Sequence, residues 1–248
     1  MWLDGKHILV TGASRGIGRA LTEQLLAEGA YVLAVARDSE ALRSLRWELG
    51  DRVQVRTCNL EDRDERSVLI EELKIHERPL DGIINNAGLQ FETDYLAASY
   101  PDLSQDIATE VNLNLEAPIH LSAELAPVLS LRPDGFIVNV TSALALAPKT
   151  DAPVYCATKA GLSSFTKALR YQVRRNRSQL LVSDCIMPLV ETDMTQGRGH
   201  GKIPPHQAAQ ELLQGLKGHK TQIWIGKTRL LRLVHRLIPE LSARILQG

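Results

Sequence analysis

Short apolar runs alternate with segments of helical periodicity along most of the 248-residue chain. This alternation is typical of βαβ units, in which helices connect neighbouring parallel strands. Seven apolar runs have the length of strands, and they cover residues 7–10, 31–36, 53–57, 82–85, 136–140, 180–186 and 222–225. The pattern therefore predicts an α/β fold built on a parallel sheet.

Several segments between these runs have helical patterns. Ile17, Leu21 and Leu25 recur at the spacing of one helix face, which predicts a helix that packs on the sheet. Residues 153–175 form a longer helical segment that ends in a polar, arginine-rich run. Residues 102–130 contain two prolines, which should bend or end a helix because proline removes a backbone hydrogen bond.

Composition limits the class of protein. The chain has 29 basic and 29 acidic residues, so no excess of positive charge favours binding to nucleic acid. Cys58, Cys156 and Cys185 are too widely spaced to predict a disulfide framework or a zinc site, and the histidines form no ligand cluster. We therefore predict no metal. The absence of a signal sequence or a membrane-spanning apolar run favours a cytoplasmic protein with free thiols.

The length predicts a single domain over residues 1–248. Within it, residues 196–248 are expected to supply a loop on the substrate side and a C-terminal helical extension. The glycine-rich stretch at 196–202 is the part of this region that most favours a loop.

The stretch TGASRGIG, residues 11–18, follows the first predicted strand and precedes the first predicted helix. Glycines at such a turn let the backbone approach a pyrophosphate, and the helix N-terminus offers free N–H groups and a positive dipole end. The stretch predicts a dinucleotide-binding site in which Gly12, Gly16 and Gly18 shape the turn.

Arg37 ends the second predicted strand, where such sites meet the adenosine ribose. A carboxylate there would favour NAD, whereas arginine binds the 2′-phosphate of NADP through charge-assisted bonds. Arg15 in the glycine turn is placed to reach the same phosphate. Asp38 is a competing feature, although an aspartate at this point is also a natural helix N-cap. We predict NADP(H), with NAD(H) as the less favoured cofactor.

Tyr155 and Lys159 are four residues apart within the predicted helix at 153–175. Residues at this spacing lie on the same helix face. An ammonium group beside a phenol favours the phenolate and lowers the tyrosine pKa from its ordinary value of about 10. The pair therefore predicts a tyrosine that can donate and accept a proton near neutral pH.

Together these motifs resemble those of the short-chain dehydrogenase/reductase family in its single-domain form. The resemblance rests on TGASRGIG at 11–18, NNAG at 85–88, VNLN at 111–114, VTS at 140–142, YCATK at 155–159 and MPLVET at 187–192. It implies a Rossmann-type, doubly wound sheet of seven parallel strands with helices on both faces. It also implies interconversion of a carbonyl and an alcohol by a nicotinamide cofactor, and a homodimer or homotetramer.

The resemblance implies roles for single residues. Tyr155 would be the general acid/base, and Lys159 would lower its pKa and bind the nicotinamide ribose. Ser142 would orient the substrate oxygen, and Asn112 would hold a water molecule of the proton relay. The implied cofactor-binding residues are Gly12, Ser14, Arg15, Gly16, Ile17, Gly18, Arg37, Asn59, Leu60, Asn86, Ala87, Gly88, Tyr155, Lys159, Pro188, Val190 and Thr192.

Two positions depart from the family pattern. Asn59 stands where an acidic residue usually lies near the adenine, and its amide oxygen can still accept a hydrogen bond. Leu189 follows Pro188 where many relatives have glycine. The added apolar wall resembles the branch that includes the DltE-like oxidoreductases.

Apolar residues are expected around the substrate, namely 143–148, Leu89, Leu189 and Met194. They predict a small to medium apolar ketone, aldehyde or secondary alcohol, although core packing explains the same residues equally well. Related epimerases and dehydratases share the Tyr-x-x-x-Lys pair, but they are usually longer and space the turn glycines differently. The alternative outside the enzymes is a catalytically silent NADP(H)-binding sensor or scaffold.

Residues 226–248 predict an amphipathic, basic helix. Leu230, Val234 and Leu237 share one face, and arginines gather on the other. We expect this helix to dock on its own domain or on a second subunit. Peripheral contact with an anionic membrane is the less favoured alternative.

Overall fold

The computed structural model describes residues 2–96 and 102–247. Within these ranges seven strands form one sheet in which every neighbouring pair is parallel. They are β1 (His7–Thr11), β2 (Tyr31–Ala36), β3 (Val53–Thr57), β4 (Gly82–Asn85), β5 (Phe136–Ser142), β6 (Leu181–Met187) and β7 (Gln222–Trp224). The structure confirms the predicted Rossmann-type sheet with helices on both faces.

The strand order is β3-β2-β1-β4-β5-β6-β7. The order reverses between β1 and β4, and the connections on the two sides of this point leave the sheet in opposite directions. In open parallel sheets, ligands bind outside the carboxyl ends of the strands at such a switch point. The topology therefore places a crevice where the glycine turn follows β1.

Nine α-helices lie in the described part of the chain. They are α1 (Gly16–Ala27), α2 (Ser39–Leu49), α3 (Arg63–Ile75), α4 (Leu103–Val111), α5 (Ala117–Leu129), α6 (Pro153–Arg175), α7 (Pro205–Lys217), α8 (Thr228–Leu237) and α9 (Pro239–Leu246). A π-helical segment, Asn112–Glu116, joins α4 to α5.

Two apolar cores cover the two faces of the sheet. In β1, Ile8 and Val10 belong to one core and Leu9 to the other, since successive residues of a strand point to opposite faces. Helices α1, α2 and α7 cover the first face, and α3, α5 and α6 cover the second. Burial of one such side chain stabilises the fold by about 1.5–3 kcal/mol. The cores thus hold the strands whose carboxyl ends form the crevice.

The two prolines expected to bend or end the helix at 102–130 leave it continuous. Pro118 lies in the first turn of α5, where its missing N–H is tolerated, and Pro127 lies near the C-terminal end of the same helix. Pro118 has no N–H to donate to the carbonyl of Asn114, four residues earlier. The irregularity appears instead as the π segment just before Pro118.

The C-terminal helices differ from expectation. Helix α8 packs on the domain through Leu231, which is buried. Leu230 and Leu237, on the face predicted to dock, are 66% and 78% exposed. Of the two docking partners predicted for this face, its own domain does not cover Leu230 and Leu237 within the described residues, and docking on a second subunit stays a prediction. Among the described residues, no helix is both long and apolar enough to cross a bilayer.

Candidate active site

The glycine turn has no space for side chains. Gly12 and Gly16 adopt positive φ angles of 64° and 54°, which favour glycine. A Cβ atom on Gly12 would lie 2.9 Å from the Cα of Ala87, and one on Gly18 would lie 2.0 Å from the Gly12 oxygen. Gly18 thus serves the close packing of α1 beneath the turn, whereas Gly12 and Gly16 line the cleft.

The N-terminus of α1 faces this cleft. Its N-cap residue, Arg15, makes no side-chain capping hydrogen bond within the described chain. The first N–H groups of a helix have no partner inside the helix, so they are available to an anion. The turn and the helix end together form a cradle suited to a pyrophosphate.

The NNAG segment is fixed to the end of β1. The Thr11 hydroxyl accepts hydrogen bonds from the N–H groups of Asn86 and Ala87, both at 3.0 Å. The Asn86 amide donates to the Thr11 carbonyl, also at 3.0 Å. These bonds hold Asn86, Ala87 and Gly88 along one wall of the cleft.

The residues predicted to bind the adenosine end lie at the carboxyl ends of β2 and β3. Arg37 lines the cleft, and its Nη1 lies 2.9 Å from an oxygen of Glu61. Asp38 caps α2 by accepting bonds from the N–H groups of Glu40 and Ala41. Asp38 therefore acts as the N-cap of α2 in the structure, and Arg37 is one of the residues that line the cleft.

Asn59 and Leu60 form the floor of this end of the cleft. The Asn59 side-chain oxygen accepts a hydrogen bond from the N–H of Glu61 at 3.2 Å, so one of its two lone pairs already serves the loop. Arg66, which sequence reasoning missed, is fully buried beneath and donates to the carbonyl of Leu60 at 2.7 Å. It also reaches Glu116, at the end of the π segment, at 2.6 Å. Arg66 thus ties the loop after β3 to the π segment.

Ser142, Tyr155 and Lys159 meet in the cleft at the end of β5. Ser142 ends the strand, and the other two lie in the first turns of α6. The Lys159 ammonium donates to the Val140 carbonyl at 2.9 Å and lies 5.7 Å from the centre of the Tyr155 ring. The predicted helix at 153–175 and the juxtaposition of the two side chains are both present.

The pKa values depart from the predicted pattern. Burial raises the pKa of Tyr155 to about 12, and a hydrogen bond from the Ser142 hydroxyl opposes this rise. Burial lowers the pKa of Lys159 to about 8. Burial thus dominates the pKa of Tyr155, and its direction in the protein alone is upward rather than the predicted lowering. Both shifts favour the neutral form of the side chain.

Of the two asparagines in VNLN, the second lies next to these residues. Asn114 is fully buried, and its amide donates to and accepts from the backbone of Leu89 at 2.8 and 2.9 Å. A Cβ atom on Gly88 would lie 3.0 Å from the Asn114 oxygen and 3.5 Å from the Lys159 nitrogen. Asn112 is half-buried at the start of the π segment, and neither asparagine lines the cleft itself.

Asp184 supports the site from behind and was also missed. It is buried in the middle of β6 and accepts hydrogen bonds from Thr141 at 2.5 Å and from Ser163 at 2.6 Å. Thr141 precedes Ser142, and Ser163 lies one helical turn after Lys159. The carboxylate therefore links the strand and the helix that carry the site. An acidic residue within the apolar run LLVSDCIM was the available signal.

The segment after β6 covers the remaining side of the cleft. Pro188, Val190 and Thr192 line it, and a Cβ atom on Gly16 would lie 3.1 Å from the Thr192 methyl group. Of the predicted apolar substrate wall, Leu89 and Met194 line the cleft. Leu189 and residues 143–148 do not.

The cleft has a volume of about 440 Å³ and runs from Arg37 to Met194. Every residue predicted to bind the cofactor lines it except Gly18, and so do Ser142, Tyr155 and Lys159. The sequence motifs thus converge on one continuous site.

Residues 6–202 match the family model described as short chain dehydrogenase. The chain belongs to this family. It is 35% identical over 239 residues to the uncharacterized oxidoreductase DltE of Bacillus subtilis, covering 94% of this chain and 92% of the relative. It is 28% identical to a fatty acyl-CoA reductase of Acinetobacter baylyi, covering 97% and 82% of the two chains.

Solved structures of short-chain dehydrogenases have the same fold. A short chain dehydrogenase from Burkholderia cenocepacia in complex with NADP superposes with a TM-score of 0.86 and 25% identity, covering all of both chains. A metagenomic short-chain oxidoreductase in complex with NADP superposes with a TM-score of 0.76 and 26% identity, covering 91% of this chain and 98% of the other. Membership of this family makes the chain an oxidoreductase that uses a nicotinamide cofactor.

Proposed function

We propose that this short-chain dehydrogenase is an NADP(H)-dependent reductase that interconverts a carbonyl and an alcohol, with Tyr155 as the general acid/base. The observation that carries the proposal is the meeting of Ser142, Tyr155 and Lys159 with the glycine turn in one cleft. A carbonyl that reaches these side chains also lies at the end of a site shaped for a dinucleotide. A scaffold protein has no need of this juxtaposition.

The residues of the cleft fit the cofactor. The close contacts at Gly12 leave room only for hydrogen, and the free N–H groups of α1 suit a pyrophosphate. Arg37 would hold the 2′-phosphate, and Lys159 would hold the nicotinamide ribose. When bound, NADPH supplies the hydride for reduction.

Ser142 and Tyr155 would stabilise the negative charge that develops on the carbonyl oxygen. Fixed hydrogen-bond donors aimed at such an oxygen lower the barrier because they need little reorganisation. With its pKa raised to about 12, Tyr155 is protonated at neutral pH and ready to donate in the direction of reduction. Its bond with Ser142 places both hydroxyl groups at the same point of the cleft.

Lys159 would restore the proton of Tyr155. Its lowered pKa of about 8 lets the ammonium release a proton near physiological pH, which an exposed lysine does not do. Asn114, beside Lys159 and Gly88, is better placed than Asn112 to hold a water molecule that continues this path. We therefore propose Asn114 for the relay.

The substrate we propose is a small to medium apolar carbonyl compound. Leu89 and Met194 provide apolar surface in the same cleft as Tyr155 and Ser142. The relative from Acinetobacter baylyi named as a fatty acyl-CoA reductase supports an apolar substrate class. Polar hydroxy acids turned over in preference to apolar ketones would contradict this part of the proposal.

The direct test is the loss of NADPH absorbance with a panel of apolar ketones and aldehydes. Tyr155→Phe should lower kcat by about 10²–10⁴, because general acid catalysis contributes a factor of this size. NADPH binding, measured by fluorescence titration, should be unchanged because the ring remains. Equal rates for the two proteins would remove Tyr155 from the mechanism. NADPH binding without turnover of any carbonyl would favour the silent sensor or scaffold.

Cofactor preference has its own test. Arg37→Ala should weaken NADPH much more than NADH, because only NADPH carries the 2′-phosphate. Equal weakening of the two cofactors would contradict the role of Arg37.

A further inference from the structure

Helices α8 and α9 expose a row of large apolar side chains. On α8, Leu230, Leu233 and Leu237 recur at helical spacing and are more than half exposed. On α9, Leu241 and Ile245 are one turn apart and also exposed. We call these five residues the tail face. Such a concentration on two short neighbouring helices is unlike the single exposed apolar residues common on protein surfaces.

The domain does not cover the tail face. The residues that attach α8 to the domain are Thr228 and Leu231, which are buried and lie to one side of the leucine row. Within residues 2–96 and 102–247, the tail face is exposed to solvent although Thr228 and Leu231 of α8 are buried. Its apolar side chains therefore remain available for contact with another surface.

Positive charge is concentrated on the same segment. Residues 227–247 contain five Lys and Arg residues and a single acidic residue, Glu240. Because the whole chain has 29 basic and 29 acidic residues, the remainder has four more acidic than basic residues. In the described chain, Arg232, Arg236 and Arg244 have no carboxylate within 4.0 Å, whereas Arg229 pairs with Glu211. The segment thus carries a formal charge of +4, five basic residues less one acidic residue, on a chain that is neutral as a whole.

The tail also borders the substrate end of the cleft. The N–H of Thr150, in the connection from Ser142 to Tyr155, donates to the Gln247 carbonyl at 3.0 Å. A Cβ atom on Gly201 would lie 2.8 Å from the Lys227 nitrogen, so the glycine-rich loop lies against the start of α8. A surface bound to the tail face would therefore lie near the substrate side of the molecule.

We propose that α8 and α9 dock on an anionic lipid bilayer. An amphipathic helix with apolar residues on one face and arginines on the other binds at the lipid headgroup boundary, where long basic side chains reach the phosphates. A two-fold contact with a second copy would instead bring two positive segments together at one interface. Charge complementarity therefore favours the bilayer over a second copy.

The test is sedimentation of the full chain with sonicated vesicles of phosphatidylcholine, with and without phosphatidylglycerol. The protein should pellet with the anionic vesicles at low salt, and less at high salt because the charges are screened. Leu237→Glu should lower the partition coefficient by about tenfold or more, because it places a charge in the apolar face. Leu131→Glu, at an exposed leucine two residues after the end of α5, is the matched control and should bind as the native chain does.

Two results would overturn the proposal. One is the absence of sedimentation with anionic vesicles at low salt. The other is a dimer in light scattering that Leu237→Glu dissociates while vesicle binding is unchanged, which would assign the tail face to a second copy. Circular dichroism and NADPH titration of each variant show that its fold is intact, so that loss of binding reports on the tail face.

Discussion

Replacing Lys159 by methionine should change how the free energy of unfolding depends on pH. Lys159 is 4% exposed, and the described hydrogen bond of its ammonium is to the Val140 carbonyl rather than to a carboxylate. Burial lowers its pKa from 10.5 to about 8. At pH 7 the lysine is protonated in the folded and the unfolded chain, so the folded state bears the cost of burying the charge. At about 1.36 kcal/mol per unit of pKa, this cost is about 3 kcal/mol.

The sign follows from proton binding. Between pH 8 and 10.5 the unfolded chain binds more protons at this residue than the folded chain does. The free energy of unfolding therefore rises with pH in this window, and the cost disappears above it. Lys159→Met has no proton to lose, so it lacks this rise. Between pH 7 and pH 10, the free energy of unfolding of the native protein should rise by roughly 2.5 kcal/mol relative to that of Lys159→Met.

The assay is urea denaturation at intervals from pH 7 to pH 10, followed by far-UV circular dichroism. Lys167→Met, at an exposed position of the same helix, controls for the loss of a lysine from α6. The quantity compared is the change in the free energy of unfolding with pH. A difference in packing between methionine and lysine that does not depend on pH therefore does not affect it. Parallel pH profiles for the native chain and Lys159→Met would refute the reasoning. Lys159→Met should also lose reductase activity, which would make this site one where catalysis opposes stability.

Three further predictions concern the rest of the cleft. Glu61→Gln should tighten NADPH binding up to about fivefold in a fluorescence titration, because it removes a carboxylate that holds Arg37 and repels a phosphate; weaker binding would show that Glu61 positions Arg37 instead. Asn114→Ala should lower kcat by about tenfold or more while Asn112→Ala leaves it unchanged, and the reverse order in the NADPH assay would restore Asn112 to the relay. Arg66→Met should destabilise the chain by about 3 kcal/mol in urea denaturation, since it leaves buried carbonyl groups without their charged donor; an unchanged midpoint would contradict that role.

Local patterns predicted the fold well because the sheet is buried on both faces. A parallel strand covered by helices must be apolar over nearly its whole length, so each strand was visible as a run such as FIVNV. The helix predicted at 153–175 begins and ends at Pro153 and Arg175 in the structure. Its start is marked by a proline, which is favoured in the first turn of a helix.

The site was predicted less completely, because its remaining features depend on contacts that are distant in sequence. VNLN contains two asparagines, and residues two apart on a helix point away from each other. Only the packing of the π segment shows that Asn114 faces Gly88 and Lys159. The tyrosine pKa was misjudged for a similar reason. The spacing of Tyr155 and Lys159 gives their proximity, but the desolvation that dominates both pKa values comes from the surrounding strands and loops.

The burial of Cys58, Cys156 and Cys185 provides three internal reporters of chain opening. Burial raises the pKa of each thiol, so alkylating reagents should react with the folded protein only during transient exposure. Cys58 follows β3 at the adenosine end, Cys156 adjoins Tyr155, and Cys185 lies within β6. Alkylation rates at the three positions would distinguish local opening at the adenosine end, local opening around Tyr155 and global unfolding. A ligand that closes one end of the groove should therefore slow modification at that end alone.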